Sequence, residues 1–258
     1  MNPGILALDF DGVLCDGLKE YLDSTSKAYE TIWHDKLTID DPIRQNFYRL
    51  RPVIETGWEM PVLLRAIALG YDPETILNSW FLVRDEIVEK EKLDKKSCAK
   101  ALDSVRDTAI KLDLASWLGL HRFYDGVVAR LNRILDSETI VYIVTTKEGR
   151  FVAQLLKQAG IELPPERIIG KEVKRPKYET IRLIAQENHI NARDIWFVED
   201  RLEALKLVRK QPDLYQVKLF LAQWGYNTEK ERQIATKEDY LQLLHLSQFS
   251  QDFVAWLD

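Results

Sequence analysis

The sequence predicts an α/β protein with a Rossmann-like parallel sheet at its core and an all-helical domain inserted after the first strand. Three observations lead to this prediction. Strand-like and helical segments alternate after about residue 119, as they do in parallel sheets covered by helices on both faces. Residues 18–118 instead show the three-and-four apolar spacing of helices almost throughout. This insert is too long for a structureless loop, so we expect a core domain of residues 1–17 and 119–258 and a helical domain of residues 18–118.

The predicted elements follow in order along the chain. The first is the strand ILAL at residues 5–8, a continuous apolar run typical of a strand buried on both faces. Within the helical domain, Asp72 and Pro73 indicate a helix start, with the proline at the first helical position. The core then continues as FYDGVVARLNRIL (helix), TIVYIVTT (strand), GRFVAQLLKQAG (helix), RIIG (strand), YETIRLIAQENH (helix), DIWFVED (strand), RLEALKLVRK (helix) and YQVKLFLA (strand). The final segment QFSQDFVAWLD is predicted to pack as a short helix through its Phe and Trp side chains.

The composition argues against several classes of protein. The 258 residues carry a formal net charge of −5, whereas proteins that bind nucleic-acid backbones are usually basic. No apolar stretch reaches the roughly 18 residues that a membrane-spanning helix needs. The two cysteines are too few for a disulfide framework, and the first strand begins at residue 5, which leaves no room for a cleaved signal peptide. We therefore expect a cytoplasmic protein that binds neither nucleic acid nor membranes.

Two aspartates stand at the end of the first predicted strand, in the segment DFDG. Because side chains alternate along a strand, Asp9 and Asp11 point to the same side, and Gly12 permits a sharp turn after them. The carboxyl edge of an open α/β sheet is where ligands bind, and two close carboxylates there repel each other unless a cation relieves the repulsion. A cation site is one interpretation of this segment. A solvated turn, in which Asp and Gly are common residues, is the other.

Polar residues at the ends of the later predicted strands favour the cation site. Hydroxyl groups end the second core strand, basic side chains follow the third, and acidic side chains end the fourth. Because the carboxyl ends of parallel strands meet at one edge of a sheet, these groups would converge on the two aspartates. In chain order they are Thr145, Thr146, Lys174, Arg175, Lys177, Glu199 and Asp200.

Four segments of the sequence resemble the motifs of one known family. DFDGVLCD resembles motif I of the haloacid dehalogenase (HAD) superfamily, IVYIVTT its motif II, KRPKYETI its motif III and WFVEDRLEAL its motif IV. The helical insert is similar to a C1-type cap domain. The resemblance implies a Mg²⁺-dependent phosphomonoester hydrolase that acts on a small phosphorylated metabolite through an aspartyl-phosphate. The second aspartate of motif I, matched by Asp11, implies this phosphate chemistry and not the chemistry of the dehalogenase branch.

The resemblance also implies a role for each motif residue. Asp9 would be the nucleophile, Asp11 the general acid and base, and Thr145 a hydrogen-bond donor to a phosphoryl oxygen. Asp9, the main-chain carbonyl of Asp11 and Asp200 would bind Mg²⁺, which prefers oxygen ligands. Glu199 would be a further ligand or a group behind the ligands.

The basic group of motif III has three candidates. Family members with a Lys-Pro pair place the lysine where this chain has Arg175, whereas members with a Lys-x-Glu opening match Lys177. We favour Lys177, with Lys174 second.

Four residues are predicted to bind the substrate: Thr146, Lys174, Arg49 and Arg51. The two arginines would meet a second anionic group, since guanidinium groups suit bidentate recognition of anions, although surface arginines are usually only solvated. Asp16 fits a family position near the cap linker, and it fits equally well as the N-cap of the helix that begins LKEYL.

Two other functions remain open at the level of sequence. One is a phosphoryl transfer of the phosphoglucomutase type, which shares the motifs and a helical cap. The other is a catalytically silent binding protein that retains the HAD fold. The substrate and the oligomeric state are not specified by these motifs.

Overall fold

The computed structural model describes residues 2–257, and the chain divides into two compact units. One unit consists of the described part of Met1–Asp16 and Arg122–Asp258, and we call it the α/β unit. The other, Gly17–His121, is the helical unit. No helix in the described part of the chain is both long enough and apolar enough to cross a membrane.

The α/β unit is built on a six-stranded parallel sheet with the strand order β5-β4-β1-β6-β7-β8. This arrangement confirms the predicted Rossmann-like α/β fold. Two further short strands, β2 and β3, pair antiparallel as a separate ribbon. The strands are β1 (Ile5–Leu8), β2 (Cys15–Asp16), β3 (Arg122–Phe123), β4 (Ile140–Val144), β5 (Ile168–Ile169), β6 (Ile195–Glu199), β7 (Lys218–Ala222) and β8 (Leu241–Leu244).

Strand β1 lies in the middle of the sheet. Ile5 pairs with Ile140 of β4 on one side and with Ile195 of β6 on the other, and the register continues to Leu8. All four side chains of β1 are fully buried, which is why the segment is apolar without alternation. Because the three strands run parallel, the residues after β1, β4 and β6 emerge at the same edge.

The helical unit contains six helices in the order of the chain: α1 (Leu18–Trp33), α2 (Asp41–Leu50), α3 (Glu59–Ala68), α4 (Pro73–Lys90), α5 (Lys95–Leu112) and α6 (Leu114–Leu118). The predicted start of α4 is confirmed. Pro73 is its first residue, and the Asp72 carboxylate accepts a hydrogen bond from the main-chain N–H of Thr75 at 2.9 Å.

One buried acid ties three helices of this unit together. Glu20 of α1 is 1% exposed, and its carboxylate accepts two hydrogen bonds from Arg106 of α5, at 2.8 and 3.0 Å. The Ser24 hydroxyl donates to it at 2.7 Å and the Trp117 indole of α6 at 3.4 Å. The charge of this carboxylate is therefore matched by one guanidinium group and its oxygens are well supplied with donors.

The helices of the α/β unit continue the numbering: α7 (Val127–Leu135), α8 (Gly149–Gln158), α9 (Lys177–Glu187), α10 (Leu202–Arg209), α11 (Glu229–Ala235) and α12 (Leu246–Phe249). Beyond α12 a 3₁₀ turn, Phe253–Trp256, completes the chain's helical segments. The predicted packing of the final segment is confirmed, because Phe253 and Trp256 are buried with their rings 5.3 and 5.8 Å from that of Trp196. The segment is not one short helix, however, since it contains the end of α12 and the separate 3₁₀ turn. The sequence had not predicted β2, β3, β8 or α11, and Phe123, which was expected in a helix, lies in β3.

Candidate active site

The residue after β1 is held in an extension of the sheet. The main-chain N–H of Asp9 donates to the Val198 carbonyl of β6 at 3.0 Å, and the Asp9 carboxylate accepts from the N–H of Phe10 at 2.7 Å. Gly12 then turns the chain with φ at +83°. A Cβ at Gly12 would lie 2.0 Å from a carboxylate oxygen of Asp200, so a glycine is required both by the backbone angle and by the space.

Three carboxylates meet at this edge of the sheet. Oxygen atoms of Asp9, Glu199 and Asp200 all lie within 4.8 Å of one another. The three residues are buried, with 6%, 0% and 1% of their surface exposed. Lys177 reaches two of them, since its Nζ lies 2.9 Å from Asp9 Oδ2 and 2.5 Å from Glu199 Oε2. Lys177 is thus paired directly with two of the three buried carboxylates, and the Arg201 guanidinium lowers the pKa of Asp200 without outweighing the effect of burial there.

The pKa values of these acids are raised, because the acids are buried without enough compensating positive charge. Burial and the Glu199 carboxylate raise the pKa of Asp9 to about 7, although Lys177 opposes the rise. Burial and the Asp9 carboxylate raise the pKa of Asp200 to about 6. Burial also raises the pKa of Glu199. For Lys177, burial opposes the charged form, but the carboxylates of Asp9 and Glu199 outweigh it and raise its pKa.

The donor set of this cluster fits a hard divalent cation such as Mg²⁺. All the groups offered are carboxylate oxygens, which Mg²⁺ prefers, and a cation among them would offset the repulsion that raises their pKa values. Asp200 is already oriented, because its Oδ2 accepts the main-chain N–H of Tyr226 at 2.7 Å. Asp9, Glu199 and Asp200 are three of the four predicted metal ligands, and the structure brings them together.

The two threonines after β4 differ in exposure. Thr145 is buried, and its hydroxyl oxygen accepts the main-chain N–H of Lys147 at 3.1 Å. Thr146 is exposed. Both line a cavity to which the segment before α9 also contributes, including Lys174, Arg175 and Lys177.

The three basic candidates, two before α9 and one at its first position, have different surroundings. Lys177 is the first residue of α9 and alone contacts the carboxylate cluster among the three. Arg175 donates from Nε to the hydroxyl of Thr180 at 3.0 Å. Lys174 is exposed and has a left-handed backbone conformation, with φ at +50°. The geometry thus favours Lys177 as the basic group that faces the acids.

Lys147 is a residue of the site that the sequence had not singled out. Its Nζ lies 3.2 and 3.3 Å from the two carboxylate oxygens of Asp11, the second aspartate of the opening segment. The signal available in the sequence was its position, immediately after Thr145 and Thr146. A lysine in a loop has no pattern of its own, and its partner lies 136 positions away.

The alternative interpretation of Asp16 as a helix N-cap is wrong. The residue that precedes α1 is Gly17, and the helix has no side-chain cap. The Asp16 carboxylate instead accepts the hydroxyl of Tyr226 at 2.9 Å. The segment around Tyr226 also contacts the opening loop through Trp224, whose indole donates to the Val13 carbonyl at 3.0 Å. Asp16 therefore belongs to a network within the α/β unit.

Arg49 and Arg51 lie in the helical unit. Arg49 forms an exposed ion pair with Glu74. Arg51 donates to the Ile54 carbonyl at 3.2 Å, and its guanidinium carbon lies 4.9 Å from the centre of the Tyr21 ring. Their contact with a substrate stays a prediction.

Comparison with known proteins supports the same fold. No protein-family model matches the sequence, and no curated protein matches it. Among solved structures, a predicted phosphatase from Clostridium acetobutylicum has a TM-score of 0.58 at 15% identity, covering 93% of this chain and 94% of that one. A predicted phosphoglycolate phosphatase from Haemophilus somnus has a TM-score of 0.60 at 15% identity, with the same coverage of both chains. A haloacid dehalogenase-like hydrolase family protein from Streptococcus pneumoniae has a TM-score of 0.57 at 14% identity, covering 92% and 93%. The chain therefore has the fold of the haloacid dehalogenase-like phosphatases.

Proposed function

We propose that the protein is a Mg²⁺-dependent phosphatase that hydrolyses phosphomonoesters through an aspartyl-phosphate on Asp9. The observation that carries the proposal is the cluster of Asp9, Glu199 and Asp200 with Lys177 at the carboxyl edge of the sheet. A surplus of buried negative charge costs stability, so its presence at a ligand-binding edge points to a role in binding a cation and an anionic substrate. The fold shared with known phosphatases is consistent with that role.

The first step transfers the phosphoryl group to the enzyme. A carboxylate oxygen of Asp9 attacks phosphorus, a new O–P bond forms, and the bond from phosphorus to the substrate oxygen breaks. Asp11 donates a proton to that leaving oxygen. Lys177 and the hydroxyl of Thr145 stabilise the charge on the phosphoryl oxygens. The products of this step are the free alcohol and the aspartyl-phosphate.

The second step returns Asp9 to its initial state. Asp11, now ionised, takes a proton from a water molecule as the water oxygen attacks phosphorus. The bond between phosphorus and the Asp9 oxygen breaks, which releases inorganic phosphate and leaves Asp9 as a carboxylate. Asp11 keeps the proton, and it is then ready to donate it to the next substrate.

Asp9, Asp200 and the main-chain carbonyl of Asp11 are the proposed Mg²⁺ ligands, with Glu199 as a further ligand or a group behind them. When bound, the ion would offset the repulsion between the Asp9 carboxylate and the anionic phosphate. Lys177 meanwhile holds Asp9 and Glu199 in place through its two ion pairs.

The substrate is proposed to be a small phosphorylated metabolite, such as a sugar phosphate or an acid resembling phosphoglycolate. Thr146 and Lys174 line the cavity beside Thr145 and Lys177, so they are the proposed contacts of the substrate in the α/β unit. Arg49 and Arg51 of the helical unit are proposed to bind a second anionic group, in keeping with the similarity of that unit to a C1-type cap. Phosphoglycolate phosphatases are among the proteins of similar fold, which makes phosphoglycolate a first substrate to test.

The proposal is tested by measuring phosphate release from phosphoglycolate, several sugar phosphates and 4-nitrophenyl phosphate, with Mg²⁺ or with EDTA. We expect release only with Mg²⁺, and a loss of roughly 10⁴-fold or more in kcat for Asp9→Asn, because removal of a nucleophile commonly has effects of this size. Asp136→Asn, an exposed aspartate of the same unit, is the control and should retain full activity.

Activity that survives chelation, or an Asp9→Asn protein as active as the parent, would contradict the mechanism. An isomerised phosphate ester in place of free phosphate would identify a mutase. Failure on the whole panel together with a stable partner complex would indicate a binding protein.

A further inference from the structure

We propose that Lys147 is a positioning residue that holds the Asp11 carboxylate in the orientation needed to activate water in the second step. This inference rests on the proposed function, in which Asp11 is the general base for hydrolysis of the aspartyl-phosphate. Lys147 itself is assigned no contact with the substrate.

The contact between the two side chains fixes the direction of the carboxylate. Lys147 Nζ lies 3.2 Å from Asp11 Oδ1 and 3.3 Å from Asp11 Oδ2, so both oxygens share one ammonium group. The side chain of Lys147 is 9% exposed, which limits competition from water for this ion pair. Within residues 2–257, no other side chain donates a hydrogen bond to the Asp11 carboxylate.

The backbone of Lys147 is anchored on both sides. Its N–H donates to the hydroxyl oxygen of Thr145 at 3.1 Å, and its carbonyl accepts the N–H of Lys171 at 2.9 Å. The neighbouring loop approaches so closely that a Cβ at Gly170 would lie 2.7 Å from the Lys147 carbonyl oxygen. The ammonium group therefore projects from a backbone that has little freedom to move.

The main chain around Asp11 is also held in place by its contacts, but those contacts do not orient the Asp11 side chain. Asp11 forms an isolated bridge with Cys15, and the N–H of Gly12 donates to the Cys15 carbonyl at 2.9 Å. The carboxylate cluster at Asp9 and Asp200 would repel an ionised Asp11 that was left unpaired. Lys147 supplies the attraction that keeps the carboxylate at one place.

The contact with Lys147 leaves the Asp11 carboxylate able to accept a proton. An ionised carboxylate held by one ammonium group keeps free lone pairs with which to accept a proton from water. Loss of Lys147 should therefore slow hydrolysis of the aspartyl-phosphate more than its formation. This difference separates a role through Asp11 from a merely structural role, which would affect both steps.

The test uses 4-nitrophenyl phosphate with the parent, Lys147→Met and Lys147→Arg. Because nitrophenolate leaves readily without a proton, we expect the second step to limit kcat, while kcat/KM reports the first. For Lys147→Met we expect kcat to fall about tenfold to a hundredfold, part of what general acid–base catalysis contributes. We expect a smaller fall in kcat/KM and more acid-stable phosphate label on the enzyme at steady state. Lys147→Arg, which keeps the charge, should recover part of kcat.

A double-mutant cycle assigns the effect to Asp11. In the Asp11→Asn background, Lys147→Met should change kcat by less than twofold, because side chains that act as a unit are not additive. Lys206→Met is the control, since it removes a lysine paired with Glu203 elsewhere in the same unit, and its kinetics should match the parent.

Three outcomes would overturn the inference: an unchanged kcat for Lys147→Met, an equal fall in kcat and kcat/KM, or the same loss in the Asp11→Asn background. If Lys147→Met does not fold, as judged by circular dichroism, Lys147→Gln replaces it and is held to the same outcomes. An inactive parent, or an active Asp9→Asn protein, would instead overturn the proposed function.

Discussion

The two units of the protein each bury acidic side chains, but they balance the charge differently. In the helical unit, Glu20 is matched by the guanidinium group of Arg106, which donates two hydrogen bonds to it. In the α/β unit, Asp9, Glu199 and Asp200 stand against the ammonium group of Lys177, which reaches only two of them. The first arrangement is electrically balanced and the second has a surplus of negative charge.

The difference separates an acid whose charge is compensated within the fold from acids whose charge is not. A paired buried carboxylate loses little by being ionised, because its partner replaces the water that it gave up. Where buried carboxylates outnumber the nearby cations, burial and mutual repulsion destabilise their ionised forms. The raised pKa values of Asp9 and Asp200 reflect this. Clusters of this kind are typical of functional sites, where binding of a cation or catalysis offsets the loss of stability.

The greatest change in stability is expected when the charge balance at Glu20 is broken. Arg106→Leu leaves the Glu20 carboxylate buried without its cation, and we expect the free energy of unfolding to fall by about 3 kcal/mol. Urea unfolding followed by circular dichroism measures the change. The double variant Glu20→Gln/Arg106→Leu should recover most of the loss, since it removes the unpaired charge.

The control for this prediction is an exposed ion pair of the same unit. Arg44→Leu removes the partner of Asp41, and exposed pairs contribute less than about 1 kcal/mol. A loss for Arg106→Leu no greater than that of Arg44→Leu would mean that Glu20 is not the balanced buried acid described above.

A smaller change in stability is expected when the proposed Mg²⁺ binds to the cluster of Asp9, Glu199 and Asp200. Mg²⁺ at about a hundred times its Kd should raise the free energy of unfolding by about 2.7 kcal/mol, because only the folded state binds it. Asp200→Asn should abolish most of this gain, whereas Asp136→Asn should keep it. Thermal unfolding with Mg²⁺ and with EDTA provides the comparison. An equal gain in the parent and in Asp200→Asn would place the ion elsewhere.

The least change is expected in the dependence of the free energy of unfolding on pH. The pKa of Asp200 is raised to about 6 in the folded protein, so the folded state favours the protonated group. Its contribution to stability is present in full below the ordinary pKa near 3.8 and is lost as the pH rises through about 6.

Asparagine does not ionise, so in EDTA the free energy of unfolding of the Asp200→Asn variant should rise relative to that of the parent by about 2 kcal/mol between pH 4 and 7. Urea unfolding at each pH gives the difference between the two proteins, in which the other titrating groups largely cancel. A constant difference across this range would show that Asp200 carries no excess repulsion in the folded state.

Much of the fold could be predicted because its elements have strong local patterns. The apolar run of β1 and the alternation after residue 119 follow from burial, which acts on every residue of an element. The strand β8 was missed because its two central residues, Gln242 and Leu243, are only partly buried at the edge of the sheet, so it has no continuous apolar run. An edge strand is half-buried and paired on one side, so burial leaves a weaker pattern in its sequence.

The candidate site could be predicted in part for the same reason. Asp9, Thr145 and Asp200 follow strands that the sequence marks clearly, and parallel strands deliver the residues after them to one edge. Lys147 and Tyr226 lie in loops, where neither periodicity nor strand ends indicate a partner. Their contacts with Asp11 and Asp16 depend on how two loops approach each other in space.

Three features could be predicted from the amino-acid sequence: the α/β class, the helical insert, and the set of acids, hydroxyls and bases that end the core strands. These features are encoded by hydrophobic periodicity and by short motifs, each of which acts over a few neighbouring residues. Three contacts became known from the folded structure: Lys177 with Asp9, Lys147 with Asp11, and the hydroxyl of Tyr226 with the Asp16 carboxylate. Electrostatic and hydrogen-bonded pairs depend on distances of a few ångströms between residues far apart in the chain, and no local pattern specifies such distances.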